Sequence, residues 1–564
     1  MKQKTTLAAL KQKIVLLLIV PAMAAWAHAA NPALPMIPSA VFNITDYGAV
    51  GDGAKDNTTN IQNAINAASA AGGGTVEIPA GDFSSGPLVL CSSLNLHVDA
   101  GGSLQMLPLD TYPGGRTNAQ TFISCNRIHD LEISGQGKID GQGAAWWKAF
   151  LTRDRGRLVR PMMLNLTSVK RLFIHDITFL NPPYHHCGIR GDGGDITISN
   201  LTVSTPSPSP NTDGVNFVGT NSIIEDCHIT DGDDDIAMGS TGPIYDLLIT
   251  NCVFGRGHGV SIGSGITAGI TNLTVINCTF NGTDNGIRIK CAGSSYPIKD
   301  LNYLNLQMNN VALPIVIYTY YDLIGTPRHI TPAQAAGVGM SAVTDSTPRW
   351  SDITFSNVTI NCPRGDIGGI IWGPTEMPVS NVTFIDVKDT APRTFDLYNV
   401  RNVKIIDSEF HFAQGDDLTL CNADVTISNS VPNGQPITIG GVGPGNSLAL
   451  YNADAAMNSP TLLDANPITL SGSTLSDATS LDLPASTALN LLLGPNSGGI
   501  SVTGDVTLNN QINLLPGEGF ADGNYTLFTY TGQLIARDTL HATTLGHRFA
   551  LTHVPGQLQL KVSP

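Results

Sequence analysis

A five-residue pattern of apolar, any, apolar, any, then Asn or Asp recurs along the middle of the chain and constrains its fold more than any other feature. It runs as Leu172-Phe-Ile-His-Asp176, Ile196-Thr-Ile-Ser-Asn200, Ser222-Ile-Ile-Glu-Asp226 (with Ser in the first slot), Leu247-Leu-Ile-Thr-Asn251 and Leu273-Thr-Val-Ile-Asn277. Leu301-Asn-Tyr-Leu-Asn305, Ile353-Thr-Phe-Ser-Asn357, Val382-Thr-Phe-Ile-Asp386 and Val403-Lys-Ile-Ile-Asp407 continue it. The closing Asn/Asp positions lie 24, 26, 25, 26, 28, 52, 29 and 21 residues apart, and the interval of 52 hides either a degenerate coil or a loop insertion. Each unit alternates with period 2 over a β-branched run and ends on a residue that tolerates a left-handed backbone. One such strand cannot bury its face alone. Stacking the units in parallel completes the backbone ladder and builds a continuous core, so the expected fold is all-β, a right-handed parallel β-helix. Asn side chains at the turn are expected to bond the neighbouring coil's backbone.

One helical segment is clear, Asn60 to Ala70, apolar at Ile61, Ala64, Ile65 and Ala68, and stopped by Gly72-Gly-Gly74. It is expected to cap the N-terminal end of the stack, as solenoids require. Residues 1–29 read as a secretory signal: Lys2, Lys4, Lys11 and Lys13 precede the apolar run Ile14–Pro21, and Ala27-His28-Ala29 offers a cleavage site. The run is shorter than the ~20 apolar residues that span a bilayer, so export from a bacterium, to the periplasm or beyond, is expected rather than a membrane anchor. Residues 30–420 then form the β-helix domain. Residues 421–564 carry only 9 acidic and 3 basic groups and read as a β-rich C-terminal module, with strands at Asn524–Tyr530 and Leu558–Val562, suited to attachment, carbohydrate contact or spacing.

The 564 residues hold 45 acidic against 30 basic groups, a net charge of −15, which argues against nucleic acid or an anionic membrane surface as partner. An anionic substrate therefore needs a local basic patch. Nine cysteines leave at least one unpaired in an exported chain. Cys227, Cys252 and Cys278 each follow the repeat's Asp or Asn, so they either stack as small buried hydrophobes or bridge between adjacent coils.

Four clusters fall near the coil period: Asn211-Thr-Asp-Gly214, Gly232-Asp-Asp234, Gly257-His-Gly259 and Arg288-Ile-Lys290. Residues one coil apart on one face are neighbours, so the stack gathers Asp213, Asp233, Asp234, His258, Arg288 and Lys290 onto one patch. Such a patch suits glycosidic cleavage, in which one carboxylic acid protonates the leaving oxygen and a carboxylate activates water. Crowding raises at least one of the carboxyl pKa values. Arg288 and Lys290 alternate on a strand, point the same way and can hold a substrate carboxylate. Adjacent residues of a regular strand face opposite ways, so Gly232 has to bend the chain for Asp233 and Asp234 to share a site. Singly, each cluster is more ordinary: a solvated Asp-rich turn or cation site, a turn histidine, a surface Arg-x-Lys. Four in order at coil spacing favour a site.

This series, with Gly257-His-Gly-Val-Ser-Ile-Gly-Ser264, resembles the polygalacturonases of glycoside hydrolase family 28, over about residues 40–412. The resemblance includes Asp46-Tyr-Gly-Ala-Val-Gly-Asp-Gly53 with Asp56, Ile139-Asp-Gly-Gln-Gly143 with Trp146-Trp147, and Asn181-Pro-Pro183. It implies a pectin-lyase-like solenoid and an inverting hydrolase of pectic polygalacturonate that works without a metal or other cofactor, and a monomer is expected. By the resemblance Asp233 is the general acid, Asp213 and Asp234 activate water, and His258 tunes the acid. Asn211 orients the site, Arg288 and Lys290 bind galacturonate carboxylates, Tyr321 belongs to the substrate cleft, and His186 lines another subsite. Two positions depart from the family pattern: Asp235 follows the acid pair where Cys or Asn is usual, and Pro182 replaces Ser. Rival readings are a rhamnogalacturonan or xylogalacturonan hydrolase, a calcium-using pectate lyase-like β-helix, and a non-catalytic polysaccharide binder. Endo or exo action depends on whether loops such as 333–350 close one end of the groove.

Overall fold

The computed structural model describes residues 31–564 apart from 153–157, 240–241, 292–295, 322–324, 326–329, 431–434, 442–444, 458–466, 478–480, 484–486, 496, 510, 537–539 and 543–546. The leader read at residues 1–29 lies outside the described residues.

The expected parallel β-helix is what the chain forms: parallel pairings run from strand Val41–Asn43 to Leu540–Ala542, each strand bonding to its counterpart one coil on. Inward-facing Ile, Val, Leu and Phe make one continuous core along this stack. The closing residue of all nine repeat units has positive φ, from +48° at Asp407 to +58° at Asp176. Asx residues tolerate this conformation best after Gly, which is why the position returns as Asn or Asp. Their side chains differ from expectation. The backbone N–H groups at Asn200, Asp226, Asn251 and Asn277 already bond the following coil's carbonyls. The amides are therefore left to bond along the stack to one another: Asn200 Nδ2 donates to Asp176 Oδ1 at 2.6 Å, and Asn305 Nδ2 to Asn277 Oδ1 at 3.1 Å.

Asn357 Nδ2 donates to Asn305 Oδ1 at 2.9 Å, and strand Ile298–Asn309 pairs directly with Trp350–Asn361. The interval of 52 is thus a loop insertion between adjacent coils. Cys227, Cys252 and Cys278 are buried free thiols, each donating to the carbonyl two residues before it, at 3.1, 3.3 and 3.3 Å.

Helix α1 (Thr58–Ala70) buries the expected stripe, Ile61, Ala64, Ile65 and Ala68, against the first coil. Gly73 has φ +124° and lies where a Cβ would meet Ser93 O at 2.3 Å, so no other residue fits that close turn. The compositional change near 420 is not a break in the ladder: strand Gln414–Ser428 spans it and pairs with Ile437–Gly441 and Ser447–Tyr451. Strands Gly523–Tyr530 and Gln557–Ser563 fall where the sequence places them, pair antiparallel, and close the C-terminal end with Arg548–Val554.

One face of the stack positions the site. Its strands are β1 (Cys187–Arg190), β2 (Val215–Phe217), β3 (Ile236–Met238), β4 (Val260–Ser264), β5 (Asn285–Cys291), β6 (Leu313–Tyr318), β7 (Gly369–Trp372), β8 (Arg393–Ile406) and β9 (Gln414–Ser428).

Candidate active site

The registers Cys187↔Val215, Val215↔Ile236 and Ile236↔Val260 align β1 to β4. Counting two residues back from each gives 187−2 = 185, 215−2 = 213, 236−2 = 234 and 260−2 = 258. His185, Asp213, Asp234 and His258 therefore form one column across four coils, on the bends that lead into these strands. Gly232 makes the third bend possible, since a Cβ there would lie 2.0 Å from Ser209 O. Asp233 and Asp234 both reach His258, whose Nδ1 is 3.2 Å from Asp233 Oδ1 and 3.7 Å from Asp234 Oδ1. The two acids thus share one site, as the bend requires.

Their surroundings differ. Asp234 is buried: Lys290 Nζ donates to its Oδ2 at 3.0 Å, Ser261 Oγ to its Oδ1 at 2.8 Å, and Arg288 Nη2 also bonds Oδ1. Burial opposes its ionisation, but Arg288, His258 and Lys290 outweigh that and hold it well below the ordinary carboxylate range. Asp233, 21% exposed, is the most accessible of the three carboxylates. Its Oδ2 accepts from Asn211 Nδ2 at 3.0 Å. Burial works to raise its pKa, yet the His258 contact prevails and the net shift is downward. Asp213 is raised, chiefly by burial, against the pull of His185, whose Nδ1 lies 3.0 Å from Asp213 Oδ1. Burial also opposes a charged His258, but hydrogen bonds with Asp233, Asp234 and Asp284 push it up to about 11, so it stands as an imidazolium.

Burial, with a smaller contribution from the neighbouring carboxylates, raises Asp213, Asp231 and Asp235, while Asp233 lies on the low side. Asp235, the departure after the acid pair, is enclosed by the fold. It is fully buried, and its Oδ2 accepts from Gly259 N at 2.7 Å, anchoring the His258 turn.

Two placements differ from the sequence reading. His186 is fully buried, with Nε2 2.7 Å from Thr205 Oγ1 and Nδ1 3.0 Å from Asp213 O, so it cannot line a subsite. The neighbouring His185 occupies the column instead, and the strand register was the signal for it. Arg288 and Lys290 share the outward face of β5 as expected, but they form the floor beneath Asp234 rather than a free surface patch. Tyr321 lies beside them, its ring centre 5.3 Å from Lys290 Nζ.

Sequence reasoning also missed Arg160. Its Nη2 donates to Asn211 Oδ1 at 2.7 Å, and its guanidinium sits 4.0 Å from the Phe150 ring centre. It arrives from the segment after helix α2 (Ala144–Leu151), outside the coil register, so no spacing announces it.

Ligand atoms of Asp233, Asp234 and His258 lie within 4.8 Å of one another, the spacing of a cation site. The donor set fits one poorly. Both Asp234 oxygens are taken by Arg288 and Lys290, and two fixed positive charges face the point where a cation would sit.

A solenoid face that sets an accessible carboxylate beside a buried ionised one and a raised one, over a cationic floor, is suited to glycosidic cleavage. The family model of "Glycosyl hydrolases family 28" matches residues 69–391. Among curated proteins the chain is 35% identical to a probable polygalacturonase of Arabidopsis thaliana, over 50% of this chain and 62% of that one, so it spans less than two thirds of that relative. It is 31% identical to an exopolygalacturonase of Platanus acerifolia (61% of this chain, 88% of the relative) and 30% identical to an endo-polygalacturonase of Pectobacterium carotovorum (61% and 86%). A solved exopolygalacturonase of Yersinia enterocolitica superposes with a TM-score of 0.57 at 20% identity, covering 69% of this chain and 78% of that one, and so shares its fold. The chain belongs to glycosyl hydrolases family 28.

Proposed function

We propose that this chain is an exported polygalacturonase that hydrolyses the α-1,4-galacturonosidic bonds of pectic polygalacturonate with inversion. The observation that carries the reading is the contrast within the column: Asp233 open to the groove, Asp234 locked as a carboxylate by Arg288 and Lys290, and Asp213 raised by burial. In this reading Asp233 is the general acid. His258, 3.2 Å away, tunes its protonation, and a polyanionic chain that displaces water from the groove works against that contact, raising Asp233 by charge and desolvation. Asp213 and Asp234 hold and activate the attacking water on the opposite face of the sugar, as inversion requires. Asn211, braced by Arg160, fixes the acid's orientation. Lys290 and Tyr321 meet the sugar, Lys290 offering its remaining N–H donors to a uronate carboxylate. Residues 1–29 act as the export leader, the protein works as a monomer, and residues 421–564 extend the stack beyond the site.

The test is reducing-sugar release from polygalacturonate by the purified protein, with the product's anomeric form read by NMR. We expect a β-anomer first, no unsaturated product, and loss of turnover by about 10²-fold or more in Asp233→Asn. Unchanged release by that variant, or unsaturated sugars lost on chelation, would overturn the reading.

A further inference from the structure

The outward residues of the site face change character one coil beyond the cationic floor. Following the registers, Asn216, Ala237, Ser261 and Arg288 continue as Val316 and Ile370 before the column turns polar again at the buried Asp396 and Thr419, and Gly263 and Lys290 continue as Tyr318, Trp372, Tyr398 and Cys421. These apolar residues point away from the helix core, yet none is more than 5% exposed, and they form a second cluster separate from that core. An outward face of a solenoid stays dry only when something covers it.

The cover is the described part of the insertion between Tyr318 and Trp350. Tyr320 packs its ring 4.3 Å from that of Trp372, and Tyr398 Oη donates to Ile330 O at 2.9 Å. Ala335 of helix α3 (Pro332–Ala336) is buried in the cluster, and Ser341 N donates to Glu376 Oε2 at 3.3 Å. A uronate chain cannot lie across a face that the insertion already covers.

We infer that the described part of the insertion, Tyr320 and residues 330–341, walls off one end of the groove, so that the enzyme removes short units from a chain terminus rather than cutting within the polymer. The inference rests on the polygalacturonase reading. The relatives do not decide the matter, because those at about 30% identity are named both exo and endo. From the coil of Asp233 to the wall is three strand spacings, about 14 Å at ~4.8 Å each, room for about two or three sugar units.

The experiment sizes the products of polygalacturonate in the first minutes of digestion. We expect only units up to about the trimer, with viscosity falling slowly for the bonds cut. Oligomers of many lengths from the outset would overturn the wall while leaving polygalacturonase action intact, whereas no hydrolysis at all would overturn both. Ala335→Glu, far from the reacting groups, puts a carboxylate into the covered cluster and is expected to add longer products. If A335E becomes protease-sensitive within 337–349 yet keeps the short-product set, the wall is refuted.

Discussion

Arg288→Met separates a cation that holds Asp234 from one that waits for substrate. Asp234 and Arg288 are both almost fully buried, and Arg288 also donates through Nε to Ser261 Oγ at 3.0 Å, so one side chain bonds the carboxylate directly and through a hydroxyl. Removing one partner of a buried ion pair costs about 3–5 kcal/mol, because the other charge is left without compensation. Lys290 remains on Oδ2, so the single variant belongs at the lower end, about 3 kcal/mol. Asp234→Asn strands two buried cations and belongs near the upper end, about 5 kcal/mol. The double variant Arg288→Met/Asp234→Asn removes charge of both signs and should lose about 2–3 kcal/mol less than the sum. Urea unfolding followed by tryptophan fluorescence, with m-values compared to confirm a common unfolded state, measures all four corners of this cycle. If the two single costs add in the double variant, Arg288 is not the partner of Asp234. If R288M raises KM while leaving stability within about 1 kcal/mol of the parent, its role is on substrate alone.

Two further outcomes follow from the same geometry. Arg160→Met removes the donor that braces Asn211 and should lower kcat about 10–100-fold with little change in KM, the signature of a displaced acid; an unchanged kcat would exclude the bracing role. Burial first of all pushes Asp235 well above the ordinary carboxylate range, so the fold favours its protonated form; that contribution is whole below the unfolded pKa and is lost as pH rises through the folded one. Asp235→Asn should therefore make stability to urea fall less steeply above about pH 4, leaving the slopes of Asp213 and Asp231 and that of His258, whose contribution is whole below 6.5 and fades toward about 11. An unaltered pH profile would show that Asp235 does not titrate against the fold.

The sequence displays the scaffold well because the scaffold is periodic. Nine Asn/Asp residues share one backbone conformation, and each reports the coil beside it. The same register holds His185 over Asp213, although an adjacent pair of histidines disguises which one faces the groove. What the sequence does not display is whatever crosses between coils without the period. Arg160 reaches Asn211 across 51 residues, and the burial of Arg288 and Lys290 depends on the carboxylate they meet rather than on their strand pattern. The acid–base order among Asp213, Asp233 and Asp234 is equally invisible, since burial and partner charge set it and neither is written in spacing.

If the insertion after Tyr318 is the proposed wall, such a fold changes its mode of cleavage without changing its chemistry. The ladder closes beneath it as though it were absent, with Leu301 opposite Ile353 and Asn305 bonded to Asn357. Lengthening a connection that leaves the ladder intact is thermodynamically mild, about 0.6 kcal/mol for each doubling of a flexible loop. That cost is offset when the loop lands on an apolar face such as Val316, Ile370 and Trp372. The acids and the cations sit on coils before the insertion, in strand registers it does not disturb. A loop at this one interval can therefore set how much of the polymer enters the groove, while Asp213, Asp233 and Asp234 keep their geometry.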